Sequence, residues 1–240
     1  MTYMTIVEII LSLIAIFFAI VLHEVSHGYV AWKLGDPTAR QRGRLTLNPL
    51  AHVDLIGTIV VPLALAFFRF VLAWGLPLFG WAKPVPINPN YFKNPFRGML
   101  YVAIAGPGSN ILLALVAAGL GNLLALAVPN SVRAGLVALT SLGLLGNLLY
   151  AALYFLAFFV LWNLILATFN LIPIPPLDGS RILMYFLPPA GRRALLSLER
   201  YGFIIVLAVV YLGGLQFLFN GVGALWEMFI GMPWAAGLLS

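Results

Sequence analysis

The sequence predicts an all-α polytopic membrane protein: a bundle of about four to six transmembrane helices, with a re-entrant or short extended segment near the functional site. Three observations support this prediction. Of the 240 residues, 62% are hydrophobic and 8% are charged, whereas soluble domains have about 25% charged residues. The mean hydropathy is +1.04. Long apolar runs also alternate with short basic loops, which is the pattern expected of helices that cross a bilayer.

The charge balance and the lack of cysteine narrow the class further. The chain has 13 lysines and arginines, 7 acidic residues and no cysteine. Because the basic residues lie in short loops, their excess fits the positive charge of cytoplasmic loops, and we expect a lipid bilayer rather than nucleic acid as partner. Disulfides and thiolate metal sites are excluded. The first apolar run lacks a basic start and a cleavage site, so we expect it to be retained in a single integral-membrane domain, residues 1–240.

The first predicted helix covers Ile6 to Leu34, which is long enough for one span of about 20 residues. It ends at Gly35-Asp36-Pro37. Four basic residues lie at or just after this end: Lys33, Arg40, Arg42 and Arg44. Positive charge marks cytoplasmic loops, so the first helix is predicted to run from outside to inside.

The second apolar run, Leu55 to Trp81, is interrupted by glycines and prolines and carries Arg69 near its middle. A straight span would place Arg69 deep in lipid, whereas a re-entrant hairpin buried against protein tolerates both the charge and the breaks. The following loop is basic again. We therefore expect a hairpin that returns to the side it left, with a full crossing as the alternative.

Three later spans complete the predicted bundle. They are Met99 to Val128, Leu148 to Phe169, which follows a surface or partly inserted piece at Ser131 to Gly146, and Tyr201 to Phe219. The first contains Ala105-Gly-Pro-Gly-Ser-Asn110, where two glycines let another backbone come close and the amide needs a polar partner. This motif serves either helix packing or the functional site.

A metal-binding pattern, His23-Glu24-Val-Ser-His27, lies inside the first apolar helix. Histidines four residues apart project from one helix face and can bind a single cation. Glu24 can reach a metal-bound water without being a ligand. The chain has three histidines and seven acidic residues, and three of these ten fall in this five-residue window. A chance occurrence is therefore the weaker interpretation, and polar groups at this depth indicate a functional site.

A zinc hydrolase needs a third protein ligand, and Asp36, Asp54 and Asp178 are the carboxylates best placed to supply it. His52 does not fit an HExxHxxGxxH pattern, because the required positions hold valine and lysine. If the hairpin returns to its starting side, Asp178 arrives at the level of the histidine pair; with a full crossing it would lie on the opposite face. Without this argument from topology, the alternative is that Asp178 only caps the helix that follows it.

Five motifs stand out along the chain. They are His23-Glu-Val-Ser-His-Gly28, Gly43-Arg-Leu-Thr-Leu-Asn-Pro-Leu-Ala-His52, Gly80-Trp-Ala-Lys-Pro-Val-Pro86, Ala105-Gly-Pro-Gly-Ser-Asn110 and Asn170-Leu-Ile-Pro-Ile-Pro-Pro-Leu-Asp-Gly179. Together they resemble the site-2 protease family of intramembrane zinc metalloproteases, in its compact form without PDZ or CBS domains. One departure is Leu55 after Asp54, where compact members usually have proline, and it leaves the entry to the hairpin open.

The resemblance implies a core of three transmembrane helices, Zn²⁺ bound by His23, His27 and Asp178, and Glu24 as the catalytic acid and base. It also implies that Asn170 and Pro173 handle substrate. We add Asn110 as a candidate substrate contact.

The predicted function is hydrolysis of peptide bonds in or near transmembrane segments of membrane proteins, known as regulated intramembrane proteolysis. A substrate strand could pair with Ile172 to Leu177, or with the segment near His52 and Lys83 to Ile87. The alternative is a non-hydrolytic zinc-binding membrane protein or a metal transporter, but the spans offer few polar residues to line an ion path. We expect a multi-pass protein of the cell membrane with its active site toward the cytoplasm. The sequence specifies neither the substrate nor the oligomeric state.

Overall fold

The computed structural model describes residues 3–70, 80–126, 143–213 and 216–230. Within these ranges the ordered elements are helices, with no β-strand, so the predicted all-α class is confirmed. The α-helices are α1 (Tyr3–Lys33), α2 (Thr38–Gln41), α3 (Val61–Phe70), α4 (Pro95–Leu126), α5 (Gly143–Asn170), α6 (Asp178–Phe186), α7 (Pro189–Leu198), α8 (Gly202–Tyr211) and α9 (Gln216–Ile230).

Three of these helices, α1, α4 and α5, are long and apolar enough to cross a membrane. Hydrogen bonds give their relative directions. Glu8 near the start of α1 accepts from Tyr150 near the start of α5. In contrast, His27 near the end of α1 contacts the carbonyl of Val102 near the start of α4. Helices α1 and α5 therefore run in one direction and α4 runs in the other, as the predicted topology required.

Small side chains let the three long helices pack closely. Their shared core contains seven alanines: Ala15, Ala19, Ala114, Ala117, Ala118, Ala125 and Ala157. Leu153 and Val160 of α5 are fully buried among them. Small residues at helix interfaces in lipid allow close backbone approach, so van der Waals contact can hold the bundle without a hydrophobic driving force.

The two ends of the predicted hairpin, Leu55 to Trp81, lie next to each other. Leu55–Val60 forms a π-helical stretch that continues into α3, and Asp54 caps it by accepting from the Gly57 N–H at 2.7 Å. Residues 71–79 lie outside the described part. The Trp81 N–H donates to the Gly57 carbonyl at 3.0 Å, so the two ends of the segment meet, as expected for a hairpin.

The predicted last span, Tyr201 to Phe219, is wrong as a single helix. Helix α8 ends at Tyr211, and α9 begins at Gln216. Gly213 between them has a φ of 75°, a left-handed conformation that ends a helix and that glycine adopts without strain. The predicted span that begins at Leu148 starts earlier, at Gly143. Most of the predicted surface piece before it, residues 131–142, lies outside the described residues.

Candidate metal centre

Two early imidazoles and one late carboxylate meet at the end of the bundle. The Nε2 atoms of His23 and His27 are 3.0 Å apart, and the Asp178 Oδ2 lies 3.2 Å from each of them. The histidines are 5% and 7% exposed. Tetrahedral zinc has bonds of about 2.0–2.2 Å to such atoms, which places its ligands roughly 3.3 Å from one another. The three atoms therefore have the spacing that a single zinc ion requires.

The proline-rich loop after α5 delivers Asp178 to the histidines. Leu177 is the N-cap of α6 and makes no side-chain cap, and Asp178 is the first residue of the helix. The cap alternative is therefore wrong. Gly179 makes the close approach possible, because a Cβ there would lie 2.2 Å from the Leu171 carbonyl oxygen and 2.4 Å from that of Ile172.

A directed chain of hydrogen bonds fixes the tautomer of His23. The Phe159 carbonyl can only accept, and it accepts from the Asn163 Nδ2 at 2.7 Å. The Asn163 Oδ1 then faces the Asn110 Nδ2, which donates to it at 2.7 Å. The Asn110 Oδ1 in turn faces the His23 Nδ1 at 2.5 Å. Only an N–H on Nδ1 satisfies this order, so in the neutral imidazole the His23 Nε2 carries the lone pair.

His27 is fixed in the same way by a backbone group. Its Nδ1 lies 2.7 Å from the Val102 carbonyl, which can only accept, so the Nε2 of His27 also carries a lone pair. The buried Asp178 Oδ2 receives no hydrogen bond from the described residues. Three electron-rich atoms thus face one another, and a cation is the group that would satisfy them all. Burial opposes ionisation of Asp178, and a divalent cation bound between the three atoms would favour its ionised form.

Glu24 lies in the same cavity, which has a volume of about 290 Å³ and also contains Arg181. The Glu24 Oε2 accepts a hydrogen bond from the Val85 N–H at 2.9 Å. Gly28, one turn further along α1, permits this contact because it has no side chain to push Val85 away. A Cβ there would lie 2.8 Å from side-chain atoms of both Leu45 and Val85.

Comparison with known proteins agrees with this geometry. Residues 11–213 match the family described as Peptidase family M50. The chain belongs to this family. It is 39% identical over 191 residues to "Putative zinc metalloprotease YwhC" of Bacillus subtilis, covering 78% of this chain and 74% of that relative. It is also 31% identical over 201 residues to "Putative zinc metalloprotease Rip2" of Mycobacterium tuberculosis, covering 84% of this chain and 66% of that protein. No solved structure matches the chain.

The family and the three apolar helices together identify an integral-membrane zinc metalloprotease of the site-2 protease type. The donor set agrees with zinc, because two imidazole nitrogens and a carboxylate oxygen are the ligands of many catalytic zinc sites. Family membership favours a hydrolase over the transporter alternative.

An extended segment, residues 83–88, closes the cavity of the M50 protease beside Glu24. Three of its backbone N–H groups donate to the body of the protein: Lys83 to the His52 carbonyl at 2.9 Å, Val85 to Glu24 at 2.9 Å and Asn88 to the Asp36 Oδ2 at 2.6 Å. Pro84 and Pro86 have no N–H. A substrate strand pairing with this segment would therefore use mainly its carbonyl groups.

Only one of the three residues predicted to contact substrate lines the cavity. Asn170 lines the cavity, and its Nδ2 donates to the Leu166 carbonyl at 3.0 Å. Asn110 is fully buried behind His23 rather than on the cavity wall, because its amide links α1 to α5. Pro173 is exposed and is not among the residues that line the cavity, and Pro176 of the same loop lies there instead.

The other carboxylates considered as ligands have structural roles. The fully buried Asp36 accepts from Thr38 through Oδ1 and from the Asn88 N–H through Oδ2. Asp54 caps the π-helical stretch. His52 is also fully buried, and its Nε2 lies 3.0 Å from the Thr46 carbonyl. These three residues shape the loops around the metal centre.

Sequence reasoning did not assign a role to Asn163 or to the Val85 N–H. Asn163 could have been found as one of the few polar residues inside an apolar span, which needs a buried partner. The Val85 contact has no such signal, because any residue other than proline offers the same N–H.

Proposed function

We propose that this protease hydrolyses peptide bonds in or near transmembrane segments of membrane-protein substrates. One observation carries the proposal: the histidine pair, Asp178 and Glu24 share one cavity at the end of three apolar helices. A substrate that lies in the bilayer would reach this cavity from the side or from the interface. The proposed partner is therefore a transmembrane polypeptide, and the proposed process is regulated intramembrane proteolysis.

In this proposal His23, His27 and Asp178 hold the zinc, and Glu24 is the acid and base. Zinc bound at this position supplies Lewis-acid chemistry, in which the pKa of a water falls toward about 7 and a carbonyl is polarised. The Val85 N–H holds the Glu24 Oε2 in place, so the Oε1 is the atom proposed to take the proton from the attacking water. Glu24 then passes this proton to the leaving amine.

We also propose that the metal centre lies toward the cytoplasm, in the cell membrane. His27 lies six residues before Lys33, or about 9 Å along the helix axis at the helical rise. All of the 13 lysines and arginines except Arg69 and Arg133 lie in segments that flank this end of the bundle or its hairpin return. The concentration of positive charge at one end supports this orientation.

The proposal is tested with Glu24→Gln in proteoliposomes that contain a reporter transmembrane polypeptide. We expect cleavage to fall by about 10²–10⁴-fold, because the amide cannot accept the proton. Bound zinc, measured by mass spectrometry, should stay at the wild-type level, since Glu24 is not a proposed ligand.

Glu227→Gln is the matched control, because Glu227 is exposed on α9 and far along the chain from the site. This variant should cleave the reporter at the wild-type rate. Cleavage that persists in the Glu24 variant at the wild-type rate would refute the assignment of Glu24.

A further inference from the structure

A second cavity adjoins the catalytic one. It has a volume of about 300 Å³, and Ile87, Met99 and Arg181 line both cavities. The two cavities are therefore neighbouring parts of one surface and not separate sites. A polypeptide that occupies the catalytic cavity places its neighbouring residues beside the second one.

The second cavity is built between two helices that a third helix holds together. Phe96 at the start of α4 lines it, and so do Met184 and Tyr185 of α6. Arg192 of α7 contacts both helices. Its guanidinium lies 4.1 Å from the centroid of the Phe96 ring, while it donates to the carbonyl of Met184 at 3.1 Å and to that of Tyr185 at 3.3 Å.

The chemistry of the lining selects an apolar occupant. The lining consists of proline, isoleucine, methionine, phenylalanine and tyrosine, with Arg181 as the single charged residue in that set. The Arg181 guanidinium is already paired with Glu199, which weakens its attraction for a second anion. Methionine side chains adapt to differently shaped apolar groups. Ligand pockets range from about 300 to 1,000 Å³, so this cavity suits a single side chain and not a helix.

We propose that this cavity is a specificity subsite that accepts a large apolar side chain, such as phenylalanine or leucine, from a substrate residue close to the scissile bond. The inference rests on the proposed proteolytic function. Met184 and Phe96 are its specificity-determining residues, because they line this cavity from two different helices and neither lines the catalytic cavity.

The test uses purified full-length protease in proteoliposomes and a series of reporter transmembrane polypeptides. Each reporter carries Trp, Phe, Leu, Ala or Gly at one of the three positions on either side of the cleavage site, and products are mapped by mass spectrometry. At one position we expect kcat/KM for Phe and Leu to exceed that for Ala by about tenfold or more. The Met184→Trp variant, which fills the cavity, should reverse this preference in favour of Ala.

Phe186→Trp is the matched control, because Phe186 is also on α6 but is 71% exposed and does not line the cavity. It should leave the preference unchanged. Met184→Ala enlarges the cavity and should extend acceptance to Trp at the same position, which keeps the test valid if Met184→Trp does not fold.

The outcomes separate the two proposals. If the wild type cleaves the reporters and neither Met184 variant changes the preference, the subsite is overturned while the proteolytic function stands. A uniform loss across all reporters in both variants, as a bound lipid chain would give, also overturns it. If the wild type cleaves no reporter at all, the proposed function fails first and the subsite with it.

Discussion

The two walls of the catalytic cavity are held in different ways. One, the helical wall, consists of α1, α4 and α5 around the histidine pair, and it is fixed by side chains that contact one another in the interior. The other, the loop wall, is the extended segment 83–88, and its own backbone N–H groups attach it to the protein. The helical wall carries the proposed ligands His23 and His27, and the loop wall contacts Glu24.

This difference separates metal binding from catalysis. Groups behind the histidines set their tautomers and positions, so changes in the helical wall should act on zinc affinity. The loop wall contacts Glu24 and lines the catalytic cavity, so changes in the groups that hold it should act on turnover while zinc stays bound. Variants in each wall can therefore confirm or break this division.

The largest effect is expected from Gly106→Ala in the helical wall. A Cβ at Gly106 would lie 2.4 Å from His27 ring atoms and 2.5 Å from the His23 Cε1. Both imidazoles would have to move, because α4 itself is packed in the core. We expect zinc affinity to fall by at least about 100-fold, measured by competition with a chelator, and reporter cleavage to be lost with it.

Gly108→Ala is the control for this substitution. Gly108 is two residues further along α4, and a Cβ there meets nothing within 4 Å. This variant should bind zinc and cleave like the wild type. Equal zinc loss in both variants would show that the helix, and not the contact with the imidazoles, is responsible.

A smaller effect is expected from breaking the hydrogen-bond chain behind His23. Asn110→Ala removes the acceptor for the His23 Nδ1–H, and loss of such a partner typically costs about 10–100-fold in metal affinity. Asn163→Ala should cost about tenfold or less, because Asn110 stays in place and its Nδ2 keeps only the longer hydrogen bond, 3.4 Å, to the Ala19 carbonyl. Chelator competition measures both variants.

The double variant shows whether the two asparagines act as one chain. If Asn163 acts only through Asn110, removing both costs no more than removing Asn110 alone. Additive losses of zinc affinity would contradict this order of hydrogen bonds and would give Asn163 an independent role.

Sequence patterns predicted the helical wall well, for physical reasons. An apolar run long enough to cross the bilayer is read directly from hydropathy, and polar residues inside it are rare and costly. His23, Glu24 and His27 therefore stood out, whereas Asp178 was one of three candidate carboxylates and was favoured by the predicted direction of the spans. The structure also brought Asn110 to the metal centre, although behind His23 rather than on the cavity wall.

The loop wall could not be predicted in the same way. The Val85 N–H is a backbone group, so no residue type in the sequence signals its contact with Glu24. Asp36 was considered as a ligand because carboxylates bind zinc, but the same chemistry lets it accept the N–H groups of Thr38 at the start of α2 and of Asn88 in the loop wall. The break between α8 and α9 was missed because a glycine in an apolar run is compatible with a continuous span, and only its left-handed φ ends the helix.

The sharpest test of the division between walls is Asp36→Asn, whose effect is expected on turnover and not on zinc affinity. The Asp36 Oδ1 accepts from Thr38 and the Oδ2 accepts from the Asn88 N–H at 2.6 Å. An asparagine has one acceptor oxygen, which we expect to stay with Thr38, because Thr38 presents both an N–H and a hydroxyl to it; the NH₂ group then faces the Asn88 N–H. Losing the charged acceptor should loosen segment 83–88 and lower kcat/KM about tenfold, since small misplacements near a reacting centre are costly. Bound zinc should not change.

Thr38→Val isolates the loop wall in that experiment. It removes the Thr38 hydroxyl that donates to the Asp36 Oδ1 but leaves the Asn88 N–H on the Oδ2, so kcat/KM should stay within about twofold of the wild type. Amide hydrogen exchange at Asn88 should accelerate in Asp36→Asn and not in Thr38→Val, because only the first variant frees that N–H. If Asp36→Asn instead loses zinc in proportion to its activity, the loop wall supports the metal ligands as well, and the two walls act as one unit.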